Sequence, residues 1–452
     1  MRFIVLFTLT IFIFGSLTAE NELFLNHGMS EMTLANGMKV ILKQIPDEEE
    51  EVQIHLIAPG GWAGLSKKEK TNARIATEVL WESGFGGHTS DTIHALMWLN
   101  SVELISEIKP FSRVIDGSAS SEGVEMLFKL INSMIASPNF TEQGMEEAKK
   151  NMSALLQLLP YDSSHTFDYF SKALNTAHYK GFRQLNLNSL KRKTDIETLK
   201  KVYQRCFGNP GDFKVYIAGH FDLEEMKVYI KKYFESIPAK NYGSIEMSTV
   251  ENGVPLFPQG IARLEMPTYQ LGLDEALIRM TFPIRGKVDK ALFKKIFLLS
   301  KLIDRRLNNE FETTGVIGEG YCFCQYSFPF YPYLNETWLT IQSRLGSKGT
   351  CKDPLFVEQA IIAILYDLKK NGPSEEEFLF LNQLIKDREL NFSENEDLLK
   401  LFLTSDEMVG VIFKEMARTD VRKNSIVDVE EACIAISELI DLNNYTIIFS
   451  KR

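Results

Sequence analysis

One pattern occurs twice in this chain, and it limits the fold more than any other feature. Two amphipathic helical segments are separated by a short turn, SPNFTEQ at 137–143 and again NGPSEEE at 371–377. After each pair the sequence runs on to a buried strand, FKVYIAG at 213–219 and YTIIFS at 445–450. Repeats of roughly 200 residues fall in the usual domain range. The fold class expected is therefore α+β: two tandem similar repeats, each a mostly antiparallel sheet with helices packed on one face. Pro255 and Pro258 punctuate a polar stretch between them, giving a first domain at 20–240, a linker at 241–262 and a second domain at 263–452.

Within the first repeat, strands are expected on either side of Asn36-Gly37, the dipeptide suited to a tight turn. The acidic run Glu48–Glu51 reads as a solvated loop tip, and VQIHLIAP as a strand that stops at Gly60-Gly61. Ser66 and Glu69 have capping-box spacing. Ala73, Ala76, Val79 and Leu80 then recur at helical period, and Gly84 stands where a helix ends. Helices follow at 92–100, 124–135, 141–159, 164–176, 195–206 and 222–235, with strands at 102–108, 112–118 and 213–219. The second repeat reads as strands at 276–282, 320–328, 337–344 and 445–450, and helices at 290–309, 354–370, 375–392 and 396–440.

Met1–Ala19 has an early cation, Arg2, then an apolar run and small residues, the order of a secretory signal. The mature protein is expected to be secreted or periplasmic. No later segment is long and apolar enough for a membrane span. A net charge of −10 excludes nucleic acid as the expected partner, because such binders need a basic face for phosphates. Five cysteines are too few to staple a chain of this length. Cys322 and Cys324 alternate in an aromatic run and should face the core together.

Several segments resemble the insulinase/pitrilysin family of metallopeptidases, the inverzincins. TLANGMKVILKQ followed by HLIAPGGWAGLS is similar to the family's opening strands and the approach to its active-site helix. ASSEGVEMLFKLINSMIASPNFTEQGMEEAKK resembles the helix pair after it, and VYIAGHFDLEEMKVYIKKYFESIP the closing strand and helix of the first repeat. NGPSEEEFLFLNQLIKDREL resembles the matching turn of the second. Active members carry H-x-x-E-H, two zinc-binding His one turn apart with a Glu as general base. The resemblance puts Ile75, Glu78 and Val79 at those positions and Ala154 at the third ligand, so only the Glu survives. An Arg and a Tyr of the family fall on Glu312 and Glu319; a two-residue shift brings in Tyr321 as a substrate-binding residue.

The resemblance thus implies a non-catalytic homologue with no cofactor, one wall of a peptide chamber. Its partner would be an insulinase-like catalytic subunit or a second copy as a homodimer, with peptide as ligand. Two alternatives stand beside it: an active zinc metalloendopeptidase with displaced ligands, and a stand-alone peptide-binding or assembly protein. On residues alone, Glu78 and Glu82 one turn apart read as a solvated helix face rather than an acid/base pair. The leader gives the first prediction: exported protein should begin near Glu20 on N-terminal sequencing, and material starting at Met1 would show that the leader is retained.

Overall fold

The computed structural model describes residues 29–44, 51–110, 112–158, 170–171, 173–176, 185, 187–240, 242–243, 245, 257–267, 276–285, 290–318, 320–327, 336–346, 353–392 and 439–451. They divide into two compact units. The first holds the described residues up to Lys149 and those within Lys191–Ser248. The second holds those within Lys150–Leu190 and Thr249–Glu394, and those from Val411 on. The expected first domain, 20–240, is thus not one unit: the described residues within 150–190, inside it in sequence, group with the second. The leader, Glu48–Glu50, most of the 164–176 helix and nearly all of 396–440 lie outside the described residues.

In the first unit β1 (Met29–Thr33) and β2 (Lys39–Gln44) form an antiparallel hairpin, with Gly37 at positive φ in its turn. β3 (Glu51–Pro59) leads to α1 (Lys67–Ser83) and α2 (Ser90–Leu99). Glu51 is the first residue of β3 and pairs with Ser120, so it belongs to the sheet and not to the expected loop tip. Next come β4 (Val102–Ile108), β5 (Ser112–Ser120), α3 (Val124–Ala136) and α4 (Glu142–Leu158). A short α5 (Leu187–Arg192), absent from the sequence expectation, precedes α6 (Ile196–Phe207) and β6 (Lys214–Gly219). α7 (Leu223–Tyr229) runs on into a π-helical turn, Ile230–Glu235.

Among the described residues of this unit six strands order β1-β2-β6-β3-β5-β4, with only the β2–β6 pair parallel. Val52, Ile54, Leu56 and Ala58 alternate along β3 and are buried, as a strand's two-residue period requires when one face meets the core. Leu127, Phe128, Ile131 and Met134 recur along α3 at helical period and are likewise buried.

The second unit repeats the plan. β7 (Ile261–Pro267), β8 (Ala276–Arg285), α8 (Lys290–Thr314), β9 (Tyr321–Ser327) and β10 (Glu336–Leu345) are followed by α9 (Pro354–Asn371), α10 (Glu375–Phe392) and β11 (Tyr445–Lys451). The order β7-β11-β8-β10-β9 matches β2-β6-β3-β5-β4 strand for strand, again with one parallel pair. β7 was not expected; the linker reading of 241–262 takes in its first two residues. Ile261, Arg263 and Glu265 alternate with Ala262, Leu264 and Met266 there, a polar pattern that masks a half-buried strand. Alternate residues of β8 from Ala276 to Ile284 meet α8, α9 and α10 in one core. On the opposite sheet face, Leu277, Ile448 and Met266 receive Phe170 and Leu174 from the 150–190 segment.

Cys322 and Cys324 do share the core face of β9. Burial pushes the Cys322 thiol up to about 12 and raises the Cys324 thiol well above its ordinary value. Cys206 also rises to about 12, again through burial. These are packing residues, without thiolate character at neutral pH.

Arg113 on β5 is 2 % exposed and ties four parts of the first unit together. Its guanidinium donates to the carbonyls of Cys206 (2.6 Å) and Arg205 (3.3 Å) at the end of α6, to the Pro59 carbonyl that ends β3 (2.6 Å), and to the Asp212 carboxylate (3.2 Å). Phe213 lies under the same group, 5.6 Å from ring centre to Cζ. Replacing it with an aliphatic residue strands three carbonyls and a carboxylate. Arg113→Leu should cost about 3 kcal/mol in urea unfolding. Arg113→Lys should recover only part, since an ammonium lacks the planar fork. A cost below about 0.5 kcal/mol would show that water takes over these contacts.

Candidate functional site

The surface built by α1, α2 and β4 gathers the first-unit residues singled out by sequence. Ser66 and Glu69 form the expected capping box: Glu69 N–H donates to Ser66 Oγ, and Ser66 N–H to Glu69 Oε2 at 3.0 Å. Arg205 then holds the same Glu69 at 2.8 Å, fixing the start of α1 against α6. At the other end Gly84 has φ +75°, and a Cβ there would meet the His88 carbonyl oxygen at 2.1 Å. The helix must stop, and α2 sets off in a new direction. Ser83 accepts from Thr141 N–H at 3.0 Å and, through its carbonyl, from Asn139 at 3.2 Å, so the break is docked on the SPNFTEQ turn.

Ile75 and Val79 are fully buried among the apolar residues of α1, while Glu78 between them is half-buried. Burial raises the Glu78 carboxyl above the usual range, and the nearby Glu82 charge adds to the rise. Trp81 stacks on His94 of α2, with centroids 5.9 Å apart, and meets the Phe85 ring edge-on. Ala154 is exposed on α4. Aliphatic side chains give a metal no lone pair, so Ile75, Val79 and Ala154 do not fit a zinc ion. Among the described residues, no three His, Cys, Asp or Glu side chains converge as a metal site.

In the second unit Tyr321 opens β9, 40 % exposed, stacks on Phe323 and accepts from Gln342 at 3.1 Å. Gln342 in turn accepts from Arg279, so the tyrosine sits at the end of a cross-strand polar row. Glu312 is exposed on α8, and Glu319 lies outside the described residues. Arg305 and Arg306 are engaged by Glu376 and by Glu377 with Asp367, where they clamp α8 to the start of α10.

Sequence reasoning missed the most exposed apolar surface of the first unit. Trp98 is 82 % and Leu99 69 % exposed at the end of α2, and Ile105 is 62 % exposed on β4. Among the described residues β4 is an edge of the sheet and pairs only with β5. The signal was present in VELISEI, whose alternation names a strand but not which strand lies at the edge.

The raised Glu78 carboxyl has a sign that can be worked out. Its folded pKa lies above the unfolded one, so ionised Glu78 costs stability at neutral pH, and the cost vanishes below the ordinary carboxylate range where both states are neutral. Glu78→Gln should therefore raise the melting temperature slightly at pH 7, by a gain within about 1 kcal/mol. The difference should fade as pH falls through the carboxylate range. Destabilisation at pH 7 would mean that Glu78 has a partner it needs.

A family model described as the peptidase M16 inactive domain matches residues 193–381. The chain is 24 % identical over 215 residues to the probable zinc protease PqqL of Escherichia coli K12, covering 47 % of this chain and 23 % of that protein. The chain is similar in fold to the first half of the periplasmic protease PqqL from E. coli, at TM-score 0.71 and 13 % identity, covering 94 % of this chain and 92 % of that one. It is also similar to pitrilysin, at TM-score 0.65 and 17 % identity, covering 94 % of this chain but 44 % of that one. The alignment thus spans under a quarter of the curated PqqL, and the fold under half of pitrilysin. Among the described residues no helix is long and apolar enough to cross a membrane. Family model, relatives, strand order and paired helices thus agree: the chain is similar to the insulinase/pitrilysin (peptidase M16) family, in sequence over 193–381 and in fold over both units.

Proposed function

We propose that this chain is an exported, non-catalytic insulinase-like subunit that lends one wall to a peptide-enclosing chamber. The observation that carries the reading is the burial of Ile75 and Val79: the positions matching zinc ligands hold core aliphatics, so α1 serves packing where an active member would need imidazoles. Without a bound metal no water on this helix becomes a nucleophile at neutral pH. The open edge of β4 supports the peptide role, because an extended segment can add to an unpaired strand through main-chain hydrogen bonds. The partner of this reading is an insulinase-like subunit that keeps H-x-x-E-H, or a second copy, since two-fold dimers are the commonest oligomers. Export is supported by the leader-like start and by the periplasmic source of the PqqL structure.

Purified protein should hold less than stoichiometric zinc by elemental analysis and cleave no peptide alone. Glu78→Gln should leave peptide or partner binding unchanged. Stoichiometric zinc with chelator-sensitive cleavage would instead identify a metalloendopeptidase with displaced ligands. Light scattering and capture from the native compartment should find a dimer or an insulinase-like partner. A monomer that binds peptide but no subunit would make it a stand-alone peptide-binding protein, and one that binds neither would sink the proposal.

A further inference from the structure

The edge strand β4 presents an alternating trio to solvent. Glu103, Ile105 and Glu107 are exposed and share one face by the strand's period of two, while Val102, Leu104 and Ile108 are buried on the other. Their same-face neighbours on β5 are Ser118, Asp116 and Val114, which add no cation. Among the described residues neither Glu103 nor Glu107 has an ion-pair partner, and Asp116 faces His55. At the start of the strand a cleft of about 390 Å³ is lined by Glu51, Glu103, Met97 and Trp98. An indole and two carboxylates lining one cleft favour a cation, through the ring quadrupole and through charge.

A second copy is a poor occupant for this edge. Antiparallel self-pairing centred on Ile105 would set Glu103 of each copy opposite Glu107 of the other, and like charges directly opposite destabilise a sheet. A strand with complementary charge gains where a copy loses.

Resting on the peptide-wall reading above, we infer that the segment taken at β4 is cationic. It carries Lys or Arg at two positions four apart, opposite Glu103 and Glu107, with an apolar side chain midway against Ile105. The cation opposite Glu103 enters the cleft beside Trp98. Main-chain bonds along the edge give affinity, and the three side chains of β4 set which sequence is taken.

The test uses fluorescence polarisation of the full chain with two labelled peptides in the same threonine-rich host. One has lysines four positions apart around a leucine; the other has glutamates in place of the lysines. The lysine peptide should bind about tenfold more tightly, the order expected for two cross-strand pairs switched from repulsion to attraction, and its advantage should shrink as salt screens the charges. Trp98→Ala should weaken the lysine peptide alone. The double variant Glu103→Lys with Glu107→Lys should invert the preference. Equal binding of both peptides by the unaltered chain would overturn the charge assignment and leave strand addition standing. Binding of neither would remove the peptide-wall reading and this inference with it.

Discussion

Each sheet is completed by the strand that the chain supplies last in its unit. β6 inserts between β2 and β3, and β11 between β7 and β8, parallel to one neighbour and antiparallel to the other. Lys39 thus pairs with Lys214, and Ile261 with Tyr445. Until these strands arrive, each sheet lacks an interior strand and the apolar face beside it stays open to water. Arg113 acts next to that closure, because Asp212 lies two residues before β6 and Cys206 in the last turn of the helix before it. Ordering of this kind depends on contacts distant in sequence, which folds slowly and leaves edges exposed meanwhile.

The two units depart from each other after β3 and β8. In the second, α8 is a single helix of 25 residues, clamped by Arg305 and Arg306 and bound to β9 where Asp304 accepts from Cys324 N–H. In the first, Gly84 divides the corresponding stretch into α1 and α2. The break leaves α2 with Ile93 as its one buried residue, and Trp98 and Leu99 in solvent beside the edge strand. The same duplicated plan therefore yields a braced half and a half with an open apolar rim.

Much of this was legible in the residues. The capping box at Ser66, the Gly84 stop, the paired helices and both closing strands follow from spacing alone, because each rests on local chemistry. β7 escaped because its alternation is polar on one side and it lies beside a proline-rich stretch. That the described residues within 150–190 group with the second unit has no local signature at all, since it depends on which apolar face Phe170 and Leu174 reach. At the candidate site, Ile75, Glu78 and Val79 were found through family resemblance, and burial then separated the two aliphatics from the acid. Arg113 and the β4 rim were missed because sequence does not say which strand is an edge or which arginine is enclosed.

The burial of Ile75 and Val79 also bears on how such a helix can change. An imidazole at either position would have to replace a core aliphatic with no room for water around its second nitrogen. Core substitutions of this sort cost several kcal/mol, in the range of about 2–5, before any metal could repay them. Two would be needed together, since one ligand alone binds too weakly to offset its own cost. Stepwise mutation toward a zinc helix therefore runs uphill at each step. The packing of α1 thus sets a folding cost on every imidazole introduced at these two positions, whereas the exposed rim beside β4 carries no such cost.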